Sequence, residues 1–191
     1  MKTTIASLLL AMIVLMVVSC QSAQPTTSKP ALTDKIWHEN LQNLLPLLGH
    51  RNWILIVDKA YPAPSASNIE VINTGQDLIT VAQQVDSLLK KQPHIRPLIF
   101  QDQELSHLNE QLVPGIDTFK KSLSEIYKES EVQIIPHSSV FERIDAASKL
   151  FKVVVLKTES VLPYTSLFIQ LDCRYWNDSK ESELRQRMQN K

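Results

Sequence analysis

The chain has 191 residues, 43 % of them apolar and 21 % charged, which suits one domain with its own hydrophobic core and argues against a disordered polymer. Twenty lysines and arginines balance twenty aspartates and glutamates, so no broad basic surface exists and nothing calls for a nucleic-acid partner. With three glycines in the whole chain, a phosphate-cradling loop is excluded.

The N-terminus, MKTTIASLLLAMIVLMVVSCQSAQ, carries one lysine, an apolar run from Ile5 to Val18, then Ser19 and Cys20. The run is shorter than the about 20 residues a membrane-spanning helix needs and reads as a secretory signal over residues 1–19. Val17-Val18-Ser19-Cys20 resembles the lipobox of bacterial lipoproteins, which implies cleavage before Cys20 and lipidation of its thiol. An ordinary secretory signal that happens to carry a cysteine is the other reading. Gln21 stands where lipoproteins retained in the inner membrane usually carry Asp, so the resemblance implies a lipid-anchored protein of the bacterial cell envelope, on the outer membrane facing the periplasm. An acylated Cys20 leaves Cys173 without an intrachain partner; no disulfide is expected, and Cys173 reads as a packed strand residue.

Residues 20–33, with two prolines and one bulky side chain, have the composition of a tether. The domain is expected over 34–175. DKIWHENLQNLLPLLGH spaces Ile36, Trp37, Leu41, Leu44, Leu45 and Leu48 at a helical period, with Pro46 predicting a kink or early end and Gly49 a stop. An apolar run, Trp53 to Val57, and a turn on Pro62 and Pro64 follow. GQDLITVAQQVDSLLKK predicts a helix, RPLIF a short buried strand, GIDTFKKSLSEIYKES a helix and VQIIP a strand. SSVFERIDAASKLFK is helical in pattern and leads into VVVL and later SLFIQL, both strand-like. Residues 176–191 form a charged tail, read as a solvated helix or frayed end. Helices alternating with short apolar strands predict an α/β fold: a single three-layer domain with a largely parallel sheet flanked by helices.

In open α/β sheets ligands sit beyond the carboxyl ends of strands. Asp58 follows WILIV, His137 follows VQIIP, and Thr158 and Glu159 follow VVVL, so three strand ends bring polar groups together. No HxH, HExxH or CxxC pair sets a local chelate, so no metal is expected although His50, Asp58 and His137 are potential ligands. Neither a GxSxG motif nor an activated cysteine supports nucleophilic catalysis.

Leu48-Gly49-His50, the Asp58-x-x-x-Pro62-x-Pro64 turn, Gly75, His137 in IIPHSSVFERI, FERIDAASKLFKVVVLKTE and Pro163-Tyr164-Thr165-Ser166 together resemble the D-ribose pyranase and L-fucose mutarotase (RbsD/FucU) family, from about Asp34 to Cys173. The resemblance implies an RbsD-like fold and a mutarotase or pyranase that interconverts cyclic forms of a free sugar, ribose- or fucose-like, without a cofactor. It implies His50 as proton donor and Asp58, His137, Tyr164, Thr165 and Ser166 as substrate-binding residues. An imidazole suits this chemistry, since its ordinary pKa of about 6.5 lets it gain or lose a proton near neutrality. A strand of five residues separates its ends by roughly 17 Å, so His50 and Asp58 of one copy do not easily touch one small sugar. Either residues 50–52 fold back along the strand, or a neighbouring copy supplies the histidine, in keeping with family members that form homo-oligomeric rings with sites between subunits.

Four positions depart from the family pattern: Asn52 for Asp, Lys59 for Ala, Glu159-Ser160 for Gly-Glu and Ser166 for Asn. A serine offers one short hydroxyl where an amide donates and accepts at once. Two other readings therefore stay open: a non-catalytic sugar-binding lipoprotein with a degenerated pocket, and an assembly module whose ring gathers several lipid anchors for firmer membrane binding.

Overall fold

The run WILIV becomes the centre of the molecule. In the computed structural model, which describes residues 33–128 and 132–189, Trp53–Val57 forms β1, and every side chain along it is buried. The pleat sends Trp53, Leu55 and Val57 to one face and Ile54 and Ile56 to the other, each into a different hydrophobic cluster. Val153–Lys157 (β5) lies beside it in parallel register and is as deeply buried up to Lys157. Strands with two apolar faces need cover on both sides, so the sheet is a middle layer.

The six strands run in the order β2-β5-β1-β6-β3-β4, where β2 is Ile69–Asn73, β3 Ile95–Asp102, β4 Val132–Ile135 and β6 Leu167–Cys173. All are parallel except β6, which is antiparallel to β1 and β3. Helices α1 (Thr33–Leu44), α2 (Leu78–Lys90) and α3 (Ile116–Ile126) cover one face through Trp37, Leu41, Val81, Val85, Ile116 and Phe119. Helix α4 (His137–Ser148) covers the other through Val140 and Ile144, beside Tyr61 from the proline-rich turn. This is the three-layer, largely parallel α/β domain expected.

Local chemistry sets the element ends. Pro46 stops α1 at Leu44, and the chain continues as a 3-10 turn, Leu45–Leu47. Asp77 caps α2 by accepting a hydrogen bond from the Thr80 amide at 2.9 Å. Two expectations need correcting. The strands are not uniformly doubly apolar: β2 and β4, the two sheet edges, are half exposed, and Glu70 and Asn73 hide β2 from a reading by hydropathy alone. The strand read as RPLIF begins at Ile95 and runs on to Asp102, which carries a carboxylate to the sheet end.

Cys173, the last residue of β6, is a free thiol of intermediate exposure rather than a fully packed one. The tail folds as α5 (Asp178–Gln189), which buries no side chain and is laced by Glu181–Arg185 and Glu183–Arg187 pairs. The signal segment, Cys20 and the tether up to residue 32 lie outside the described residues. Among the described residues no helix is long and apolar enough to cross a membrane.

Ile54 is fully buried in the larger cluster, so Ile54→Ala is expected to cost about 2–5 kcal/mol in urea unfolding, whereas deletion of residues 178–191 leaves the midpoint unchanged.

Candidate functional site at the carboxyl end of the sheet

The antiparallel placement of β6 builds the site. The chain leaves β5 at the carboxyl end of the sheet and enters β6 at that same end, with β1 lying between the two strands. Residues 158–166 therefore pass over the end of β1. They are pinned there by the Thr158 amide on the Val57 carbonyl at 2.9 Å and by the Lys59 amide on the Ser160 carbonyl at 2.8 Å. The Thr158 hydroxyl donates to the same Val57 carbonyl at 2.7 Å.

Asp58 anchors this crossing. Its Oδ1 accepts from the Ala60 amide at 2.8 Å, closing a local turn, and its Oδ2 accepts from Ser166 Oγ at 3.1 Å. Thr165 is fully buried, and its hydroxyl donates to the Leu162 carbonyl at 2.7 Å, inside the same loop. Tyr164 stands between them in the left-handed region, at φ 56°, with its side chain turned partly outward. A non-glycine residue held there signals a loop whose shape its surroundings over-determine.

His137 faces this loop from the start of α4. Its ring meets Tyr164 edge-on at 5.2 Å between centroids and Phe141 at 4.7 Å. Tyr61 stacks on Phe141 at 5.8 Å, so an aromatic group continues from His137 into the core. Burial and the charge of Asp145 push the Tyr61 phenol up to about 12, which keeps it neutral at physiological pH. The His137 backbone N–H, left unbonded by the opening of α4, donates to Glu104 at 3.1 Å. Its Nδ1 lies 2.9 Å from Oδ2 of Asp102, the last residue of β3. The Asp102 carboxyl is raised above its usual range, chiefly by burial, although His137 pulls it down; Glu104 and Asp58 add to the rise.

A hollow of about 360 Å³ opens here, lined by Asp58, Lys59, Ala60, Val161, Leu162 and Pro163, a size fit for a small ligand. A second hollow of about 370 Å³ opens between α3 and the β3–β4 edge, lined largely by Leu105, Leu123, Tyr127, Val132 and Ile134, with Asp102 at its wall. Asp58 is the one of the gathered polar groups that lines the first hollow, which adjoins the Asp58–Ser166 crossing and is the candidate site for that reason.

His50 is not among them. It sits before β1, on a turn at the opposite end of the sheet, where Arg51 has φ 76° and donates its backbone N–H to the Leu171 carbonyl at 2.9 Å. Its exposed ring is held by Nδ1 at 2.8 Å from Oδ1 of Asp172, while Arg96 Nε grips the other oxygen at 2.8 Å. Burial by itself would raise the Asp172 carboxyl; hydrogen bonds from Arg96, the Cys173 amide and His50, with the Arg96 charge, outweigh it and hold the carboxyl below its ordinary range. The structure thus brings Asp58, His137, Tyr164, Thr165 and Ser166 to one end and leaves His50 at the other.

The positions that depart from the family pattern all have partners. Lys59 and Glu159 pair with each other across the mouth, so Lys59 contacts Glu159 rather than Asp58. Asn52 accepts from the Gly49 amide at 2.7 Å and donates to the Lys152 carbonyl at 3.2 Å, bracing the His50 turn. Ser166 holds Asp58. Sequence reasoning missed Asp102 and Asp172, the carboxylates behind the two histidines. Asp102 was discoverable only by carrying the third strand two residues past Phe100, and Asp172 had no local signal. Among the described residues, no group of three His, Cys, Asp or Glu side chains could hold a metal ion.

Asp172 is the group through which acid reaches this end of the fold. Because its folded-state value is depressed, its ionised form adds stability above the ordinary carboxyl value of about 3.9, and this is lost as pH falls through the lower folded value. Asp172→Asn is therefore expected to lower the urea midpoint at pH 7, with the gap to wild type closing as pH falls below the ordinary carboxyl value of about 3.9.

Bacillus subtilis RbsD complexed with D-ribose is 19 % identical, at TM-score 0.49, over 70 % of this chain and 91 % of that one. The fucose mutarotase of Streptococcus pneumoniae in complex with L-fucose is 18 % identical, at 0.48, over 70 % and 91 %. FucU from Bifidobacterium longum is 19 % identical, at 0.46, over 70 % and 94 %. Among curated proteins none matches. The model of the RbsD / FucU transport protein family matches residues 32–172, nearly the whole described domain, and the chain belongs to that family.

Proposed function

We propose that this protein is a cofactor-independent monosaccharide mutarotase or pyranase, acting on a free ribose- or fucose-like sugar by opening and reclosing its ring. The observation that carries the reading is the gathering of a carboxylate, an imidazole, a phenol and a hydroxyl (Asp58, His137, Tyr164 and Ser166) at one sheet end, with Phe141 beside the imidazole. Hydroxyl-rich, uncharged ligands are held by such mixed donors and acceptors, and the C–H face of a sugar ring packs on aromatic carbon. Ring opening takes a proton from the anomeric hydroxyl and delivers one to the ring oxygen, so it needs an acid and a base rather than a redox group.

His50 is the proton donor in this reading, and it comes from a neighbouring copy. An exposed imidazole fixed through Nδ1 by a carboxylate presents Nε2 outward, and the ring surrounding a shared site would set this Nε2 against the Asp58 end of the next subunit. Lipidation at Cys20 would place such a ring on the outer membrane, facing the periplasm, with the chain N-termini as anchors and no other membrane contact.

The test is saturation-transfer NMR on the purified full-length chain with D-ribose, L-fucose and D-galactose. Wild-type protein is expected to speed exchange between anomers or ring forms of at least one sugar, and His50→Ala to abolish it. Unchanged exchange over the panel overturns catalysis on these sugars; saturable line broadening without exchange favours a binding protein.

The shared site makes a second prediction. His50→Ala and Asp58→Asn are each expected to be inactive, yet unfolding and refolding them together in equal amounts returns about a quarter of wild-type activity, the fraction of sites that draw His50 from an Asp58→Asn copy and Asp58 from a His50→Ala copy. No recovery would mean that one chain supplies the whole site.

A further inference from the structure

Asp102 is out of place as a structural residue. It is 1 % exposed, and among the described residues Oδ2 bonds to one partner, His137, while the buried Oδ1 has no hydrogen-bond partner. A buried carboxylate with an empty oxygen costs stability that an apolar side chain would not, and its other neighbours, Glu104 and Asp58, are acidic and make ionisation harder. Neither a helix end nor a turn is satisfied by it; the N-terminus of α4 is bonded by Glu104 instead. What Asp102 does is fix one imidazole. With the proton on Nδ1, 2.9 Å from Oδ2 of Asp102, the carboxylate accepts it and the lone pair stays on Nε2 of a ring that meets Tyr164 edge-on at 5.2 Å between centroids. The same device recurs at the other end of the sheet, where Asp172 holds His50 by Nδ1.

We propose that Asp102 is a positioning residue that makes His137 the general base of the site, so that two carboxylate-held histidines, His137 of one copy and His50 of the next, act as a base and acid pair. The inference rests on the mutarotase reading and extends it, since the family resemblance implies only a binding role for His137. In ring opening, Nε2 of His137 takes the proton of the anomeric hydroxyl. The O–H electron pair forms the carbonyl as the bond from the anomeric carbon to the ring oxygen breaks, and the ring oxygen takes a proton from His50. Closure on either face of the carbonyl reverses each transfer and restores both histidines, with no net gain or loss of protons or electrons.

The experiment compares the wild-type full chain with Asp102→Asn and Asp102→Ala by the same NMR exchange measurement over a range of sugar concentration, alongside 15N spectra of the histidine rings. Asp102→Asn is nearly isosteric and removes a carboxylate that burial already disfavours, so its Tm is expected to be no lower than wild type. Both variants are expected to lower kcat at least about tenfold with KM changed less than about twofold, the split of a group acting on the transition state. Wild-type His137 is expected as the tautomer with its proton on Nδ1, with that preference lost in the variants. A proton on Nε2 in wild type, or variants that raise KM and keep kcat, overturn the inference and leave the mutarotase reading standing. Absence of wild-type exchange with every sugar overturns both. If neither variant folds, the wild-type tautomer alone decides.

Discussion

A strand buried on both faces holds its two ends a fixed distance apart, and the site depends on that constraint. The five residues of β1 span roughly 17 Å, with His50 before one end and Asp58 just past the other, and the strand cannot shorten because Ile54 and Ile56 are locked into one cluster and Trp53, Leu55 and Val57 into the other. The histidine at one end cannot serve the carboxylate at the other. A chemistry that needs both must draw them from two molecules, so the most rigid element of the fold is also what would make the function collective.

The end that holds Asp58 is assembled by topology rather than by any one motif. Because β6 runs antiparallel between β1 and β3, the preceding loop must cross the end of β1, and it brings Tyr164, Thr165 and Ser166 with it. Asp58 is partly spent on holding that loop, through Ser166, while Thr165 is sealed inside it. Tyr164 and His137 are the more open groups at this end. Lys59 and Glu159 pair with each other at this end, so neither leaves an uncompensated charge there.

Two histidines, each gripped at Nδ1 by an aspartate, stand at opposite ends of the sheet. Their carboxylates are tuned differently. Arg96, the Cys173 amide and His50 keep Asp172 readily ionised, whereas burial beside Asp58 and Glu104 works against ionisation of Asp102. Different surroundings for like pairs are what an acid and a base require if they are to hold opposite roles at one pH.

The sequence by itself determined the helices, whose apolar spacing in α2 and α3 admits one buried face, and the doubly apolar β1 and β5, which demand a middle layer. It also carried the family's short motifs, and with them His50, Asp58, His137 and the Tyr164 segment. Only the tertiary structure decided that β6 is antiparallel, that β2 is a strand despite Glu70 and Asn73, and that Asp102 and Asp172 stand behind the histidines. The reason is the range of the interactions. Periodicity reports what each segment buries, whereas His50 and Asp172 are 122 positions apart and meet only because the order of strands sets their ends side by side.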